Sequence, residues 1–226
     1  MTLEPIAHVE NDYTEKFGVP RQSGLVQEVS SRIVFRPEYR VREALRGLEG
    51  YSHLWLIWVF SEARQQGWSP TVRPPRLGGN MRVGVFASRS PYRPNPIGLS
   101  CVKLERILWD DPQGPVLLVA GADLMNGTPI LDIKPYLPYA DSHPEALGGF
   151  GLKPGQGTVL VELPEDLSFP PEKRQALEAM LAQDPRPGYQ HDPERVYGVA
   201  FAGYDIRFTV ADGVLRVISA AKKPLD

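Results

Sequence analysis

A single cysteine, Cys101, stands among 226 residues, which excludes a disulfide framework and any zinc site built on cysteine pairs. A lone thiol of this kind reads as a small apolar side chain rather than a nucleophile. No apolar run exceeds the seven residues Leu54-Trp55-Leu56-Ile57-Trp58-Val59-Phe60, too few to cross a bilayer. The opening residues Met1-Thr2-Leu3-Glu4-Pro5 lack the basic start and apolar stretch of a secretion signal, so a cytoplasmic, membrane-free protein is expected. Neither G-x-G-x-x-G nor a P-loop occurs, and H-E-x-x-H and G-x-S-x-G are also missing. The common dinucleotide and nucleotide cradles, the zincin site and the serine elbow are thereby removed. Four scattered histidines complete the picture, and no metal is expected. His53, beside an apolar run, reads as a core side chain rather than a ligand.

Low-complexity character is absent too. Proline (23) and glycine (21) are frequent but stay below the quarter to third of a chain that marks disorder. Hydrophobic residues at 42% and charged ones at 23% fit a globular protein with a sizeable core. A net charge of −2 argues at face value against nucleic acid, whose partners are usually basic overall.

Proline and glycine punctuate the first 165 residues and leave short β-type windows at 25–35, 51–60, 82–87, 99–108 and 116–124. Many short strands between turn residues predict a barrel or sandwich. A helix is expected after Pro37, over 39–45. From Asp141 to Gly157 five glycines and two prolines read as a linker or long loop. Beyond it come a strand near 158–163, a helix over 172–183 opened by Pro170-Pro171, and a hairpin of 204–210 and 214–218 about Asp212-Gly213. The expected fold is therefore mainly β: a β-rich domain over residues 1–145, and a linker with a small α+β domain over 146–226.

Two segments look chemical. In 89–100, Arg89-Ser90-Pro91-Tyr92-Arg93-Pro94-Asn95-Pro96-Ile97-Gly98-Leu99-Ser100, three prolines fall within six positions. They fix φ and hold their predecessors extended. Such a stiff loop loses little entropy on binding a ligand, though it would equally serve as a rigid surface connection. In 123–141, Asp123, Asp132 and Asp141 share 19 residues with Lys134, Tyr136 and Tyr139. That segment fits a site, or a hairpin after the Asn126-Gly127 turn with a solvated Asp–Lys pair.

Four stretches together resemble the TrmO/TsaA-like family of S-adenosylmethionine-dependent tRNA methyltransferases. They are 15–25 (EKFGVPRQSGL), 50–55 (GYSHLW), 89–99 and 132–136 (DIKPY), and 183–189 (QDPRPGY) is similar to the C-terminal signature of bacterial members. The resemblance implies a single-sheet antiparallel β-barrel, a homodimer, and S-adenosyl-L-methionine held by loops near the subunit contact. It also implies methylation of the N6 nitrogen of N6-threonylcarbamoyladenosine, next to the anticodon of threonine tRNA. The cofactor loops it implies are Ser23, Gly24 and Leu25; Ser61 and Glu62; Arg89; Asn95, Pro96, Ile97, Gly98 and Leu99; and Thr128, Pro129, Ile130 and Leu131. Arg89 suits a carboxylate, which a guanidinium binds bidentately.

Methyl transfer is an in-line displacement in which positioning can contribute about 7–11 kcal/mol. The acceptor nitrogen is conjugated, so a proton acceptor would add roughly 10²–10⁴-fold. Asp132 and Asp141 are the candidates for that acceptor. Tyr136 and Tyr139 would stack on or orient the base, and Lys134 would bind the threonyl carboxylate or neutralise Asp132. A non-catalytic cofactor-binding module and a methyltransferase for a small amine are the alternatives.

The net charge conceals a segregation that bears on these alternatives. Residues 63–104 contain Arg64, Arg73, Arg76, Arg82, Arg89, Arg93 and Lys103 but no Asp or Glu, so this stretch carries +7 and the rest −9. A solvated arginine-rich face would explain it. Because the stretch includes the proline-rich motif, a phosphate-contacting rim explains it better. Arg64, Arg73, Arg76, Arg93, Tyr139 and Arg186 are the expected RNA contacts.

Overall fold

Short apolar strands broken by proline and glycine can bury one face and leave no open edge by closing on themselves. A computed structural model of the chain, in which residues 2–62, 67–74, 81–150, 157–186 and 192–224 are described, shows this arrangement. The first strands are β1 (Ala7–Glu10), β2 (Ser30–Phe35), β3 (His53–Val59), β4 (Thr71–Val72) and β5 (Val83–Gly84). They are followed by β6 (Ile97–Leu108), β7 (Val116–Ala120) and β8 (Pro129–Pro135). Six of them close into an antiparallel barrel in the order β1-β2-β7-β6-β3-β8, sealed where Ala7 faces Ile130 and His8 faces Pro129. Strands β4 and β5 form a separate two-stranded ribbon.

Alternation decides what fills the barrel. On β3, Leu54, Leu56 and Trp58 point inward and meet Val102 and Leu104, Ile33 and Phe35, Leu117 and Val119, and Ile130. Trp58 lies opposite Gly98. A Cβ at Gly98 would stand 2.2 Å from the indole, so glycine is what lets that ring pack against β6.

A second, smaller unit follows the short helix α1 (Pro138–Asp141). It comprises β9 (Leu160–Glu162), α2 (Arg174–Ala182), β10 (Tyr197–Phe201), β11 (Tyr204–Ala211) and β12 (Val214–Lys222). The sheet order is β10-β11-β12-β9, with β9 parallel to β12. Helix α2 buries Ala176, Leu177, Met180 and Leu181 against Phe201, Ile206, Phe208 and Leu215. Tyr13, Val26 and Val29 join the same core, although they belong to the connection between β1 and β2. Gly18, at φ +100°, leaves no room for a Cβ, which would stand 2.6 Å from Val199. The connection is thus sewn into the second unit while both its ends stay in the barrel.

Several expectations are corrected. The helix expected over 39–45 is two 3-10 turns, Pro37–Tyr39 and Arg42–Leu45; only Leu45 is buried, so no apolar face drives a longer helix. The strand expected over 82–87 shrinks to β5, because β4 gives it only two partners. In 25–35, the strand begins only at Ser30. The chain after Asn126-Gly127 forms no hairpin with β7; β8 pairs with β3 and β1 instead.

Candidate functional site

One end of the barrel is a meeting point of loops. The C-terminal end of β3, the start of β6, the proline-rich loop before it, the β1–β2 connection and the β7–β8 turn enclose a cleft of about 630 Å³. That volume is in the range of sites for drug-sized ligands.

The proline-rich loop is held by its own backbone. Ile97 N–H donates to the Asn95 carbonyl and Phe60 N–H to the Pro96 carbonyl, at 2.8 and 2.9 Å. Asn95 and Pro96 therefore brace the wall, whereas Ile97, Gly98 and Leu99 line it. Arg89 lines it too, and its guanidinium donates to the Gln22 side-chain carbonyl at 2.5 Å. Ser61, Glu62, Arg93 and Thr128 complete the expected residues that reach the cleft.

Others stand behind it. The Ser23 hydroxyl accepts the Cys101 N–H at 3.2 Å, Gly24 N–H donates to the Gly121 carbonyl at 2.8 Å, and Leu25 is exposed. Pro129 and Leu131 lie on β8 outside the lining, and Ile130 is fully buried in the barrel core. The placement of Ile130 follows from alternation, since its strand neighbours point outward.

The cleft also holds residues that the sequence analysis gave no individual role. Asp123 to Gly127, Trp58, Phe60 and Pro20 to Gln22 are among them. Trp58 and Phe60 pack at a tilt of 59° with ring centres 4.2 Å apart. The Trp58 indole N–H donates to the Ser100 hydroxyl at 2.9 Å, and that hydroxyl donates to Asp123 at 2.5 Å. Burial pushes the Asp123 carboxyl above its ordinary range; the Ser100 hydrogen bond and Arg89 oppose the shift. A legible signal was there: Asp123 opens the segment 123–141, and its β7–β8 turn folds over the barrel end.

Asp132, Lys134, Tyr136 and Asp141 lie elsewhere, on the barrel's outer wall, and none is among the residues lining the cleft. Lys134 and Asp132 form an ion pair at 2.9 Å, both about half exposed. Asp141 accepts from the Leu137 N–H at 2.8 Å and from the Trp55 indole at 3.0 Å. These two bonds, in that order, hold its carboxyl below the usual range. Tyr136 packs its ring 5.8 Å from Trp55 and 6.2 Å from His53. His53 is not a core residue: it is the first, exposed position of β3. Cys101 is half-buried, and burial raises its pKa. Ladder register ties the two regions together. Ile57 lies between Leu99 and Asp132, and Trp55 between Cys101 and Lys134, on the outward face.

Of the expected RNA contacts, Arg64 and Arg76 lie outside the described residues. Arg73 and Tyr139 are exposed. Arg186 is 12% exposed at its side chain and held by Asp184 at 2.8 Å. Among the described residues no carboxylate comes within ion-pair distance of Arg73, Arg82, Arg89 or Arg93.

Comparison with known proteins bears on what such a cleft does. The tRNA-methyltransferase O N-terminal domain profile matches residues 8–142, and the TrmO C-terminal domain profile matches residues 161–223. The sequence is 40% identical over 227 residues to the tRNA (adenine(37)-N6)-methyltransferase of Escherichia coli K12, covering 96% of each chain. It is also 40% identical over 222 residues to a putative S-adenosylmethionine-dependent methyltransferase, RcsF, of Pseudomonas aeruginosa, covering 92% of this chain and 91% of that one. A crystal structure of TrmO from Pseudomonas aeruginosa superposes with a TM-score of 0.78 at 32% identity, covering 98% of both chains.

Proposed function

The chain belongs to the tRNA-methyltransferase O family, and from that premise we propose that its substrate is the N6 nitrogen of N6-threonylcarbamoyladenosine beside the anticodon of threonine tRNA. The enzyme is an S-adenosylmethionine-dependent tRNA adenine-N6 methyltransferase. A cytoplasmic homodimer is part of the proposal. The observation that carries the proposal is a cleft holding both Arg89 and Asp123, beside Arg73, Arg82 and Arg93, which have no ion-pair partner among the described residues.

The cleft's donors fit the cofactor. Bound there, S-adenosyl-L-methionine supplies an electrophilic methyl group on a sulfonium. Glu62 and Asp123 offer negative charge for its ammonium and sulfonium, and Arg89 offers a fork for its carboxylate. Trp58, Phe60 and Leu99 form apolar walls that exclude water, which strengthens each of those charge contacts. The short Ile97–Leu99 main chain presents polar groups to an adenine edge.

Asp132 is proposed to take the proton from the acceptor nitrogen, with Lys134 placed for the threonyl carboxylate. Asp141, whose carboxylate is committed to Leu137 and Trp55, is a brace for Tyr136 and Tyr139. Asp132 and the cleft sit at opposite ends of one outward row. A homodimer joining two copies across Trp55, Ile57 and Leu99 would bring Asp132 of one copy toward the cleft of the other. The exposed apolar side chains Ile97 and Leu99 support that face as the contact.

The test is incubation with labelled S-adenosyl-L-methionine and threonine tRNA, threonylcarbamoylated or not. Label should enter only the modified tRNA. Equal label in both would overturn the substrate assignment, and label in neither would overturn the tRNA reading.

A further inference from the structure

The ribbon β4–β5 and the proline-rich loop share a rim with unusual chemistry. Trp68, Phe86 and Tyr92 are 57%, 74% and 39% exposed. Their backbones are tied together: Ser69 N–H donates to the Tyr92 carbonyl at 3.2 Å and Val85 N–H to the Pro70 carbonyl at 3.0 Å. The Arg93 guanidinium lies 5.5 Å from the Phe86 ring centre and is held there by the Val85 and Ser88 carbonyls. Tyr92 and Arg93 also line the cleft, whereas Trp68 and Phe86 do not.

Exposed aromatics gathered at one edge are costly in water and mark a contact surface. Two features decide the occupant. First, residues 63–104 hold no carboxylate, and Arg73, Arg82, Arg89 and Arg93 have no ion-pair partner among the described residues. In the C-terminal unit, by contrast, Arg186, Arg207 and Arg216 pair with Asp184, Asp205 and Glu162, and Arg195 lies over the Tyr197 ring. Second, flat rings interleaved with guanidiniums whose charge no described carboxylate pairs suit unpaired bases, which offer π faces and a phosphate backbone together. A duplex conceals its bases, and an acidic peptide would not need three rings.

We propose that Trp68 and Phe86 form a stacking platform for unpaired anticodon-loop nucleotides flanking the target base, feeding that base past Tyr92 and Arg93 into the cleft. This rests on the tRNA reading above and names the part of the RNA that this rim grips.

The test uses full-length protein with Trp68→Ala, Phe86→Ala, and the ring-preserving Trp68→Phe and Phe86→Tyr. Each is titrated with an RNA hairpin copying the anticodon stem-loop and with a fully paired RNA duplex. Each alanine variant should lose about 5- to 150-fold in hairpin affinity. Duplex affinity, the salt dependence of binding, cofactor affinity and solution mass should stay at wild-type values, and the ring-preserving variants should restore hairpin binding. Unchanged hairpin affinity in the alanine variants overturns the proposal, as does an equal loss on the duplex. A fall in solution mass would also overturn it, assigning the rim to contact with a second copy. Wild-type protein that binds neither RNA would instead overturn the tRNA reading itself.

Discussion

Gly98→Ala tests whether the barrel end is built as described. The added Cβ would stand 2.2 Å from Trp58 Cε2 and 2.4 Å from Cζ2, so the indole must retreat by about 1 Å in an interior packed like a crystal. Trp58 is 8% exposed and is pinned by Phe60 on one side and by its hydrogen bond to Ser100 on the other. Overpacking of this kind costs about 1–3 kcal/mol, and the broken indole–hydroxyl bond adds about 0.5–1.5 kcal/mol. For a chain of this length the sum, about 2–4 kcal/mol, lowers Tm by about 4–16 °C. Because Ser100 also holds Asp123, cofactor affinity should fall with it. Calorimetric melting and cofactor titration read both effects. Trp58→Leu removes the clashing ring, so in that background Gly98→Ala should cost less than about 1 kcal/mol, leaving a coupling of about 2 kcal/mol between the sites. Strictly additive losses, or a Gly98→Ala variant that melts with wild type, would refute the close approach.

Asp123→Asn should melt higher than wild type at and above neutral pH. A raised folded-state pKa makes the carboxyl free of cost below the ordinary value of about 3.9 and costly as pH climbs from there to the raised value. The gap between the two proteins should therefore close in acid, while the variant binds cofactor more weakly; a wild type more stable than Asp123→Asn at neutral pH contradicts this. With four described guanidiniums unpaired by carboxylates, tRNA affinity should fall about 50-fold between 50 and 200 mM salt, at a slope near −0.7 per phosphate contact. A flat salt response contradicts the rim, and Arg73→Ala should make the slope shallower by about 0.7. Asp132→Asn and Arg89→Ala should each be nearly inactive alone, yet recover about a quarter of wild-type methylation when unfolded and refolded as a mixture, the yield of random pairing with one intact site per mixed dimer. Recovery of nothing would place Asp132 and the cleft in the same copy or outside the chemistry.

The barrel was legible where periodicity two was clean. The apolar windows at 51–60, 99–108 and 116–124 became β3, β6 and β7, and the Asp212-Gly213 turn became the β11–β12 connection. The closing strand β1 has only four residues, too few for alternation to stand out from the Gly/Pro background. Residues 25–29 were read as the start of a strand because Val26 and Val29 are apolar; both are buried in the other core, a destination that local pattern cannot name. The proline-rich loop was recognisable by its stiffness. Asp123 was legible as one of three carboxylates in 123–141 but received no role, because its surroundings come from Ser100 and Trp58, 23 and 65 positions away in the chain, which only the β6–β3 register brings together.

That same long-range logic assigns the C-terminal unit its part. Arg186 invited an RNA role by its charge, but its guanidinium is enclosed by Asp184, and Arg207 and Arg216 are likewise matched to Asp205 and Glu162. What the unit gives the rest of the molecule is a grip on the β1–β2 connection. Tyr13, Val26 and Val29 are in its core, Glu15 accepts the Ala200 N–H at 2.7 Å, and Arg21 donates to the carbonyls of Asp184 and Arg186, both at 3.1 Å. Between those anchors lie Lys16 and Val19 to Gln22, which form one wall of the cleft. A connection of this length has no regular structure of its own to hold its shape, so ordering it costs about 1–2 kcal/mol per residue unless tertiary contacts offset the loss. The second core supplies those contacts. The appendage therefore fixes a wall of the cleft, while the guanidiniums of its Arg186, Arg207 and Arg216 are matched by its own carboxylates.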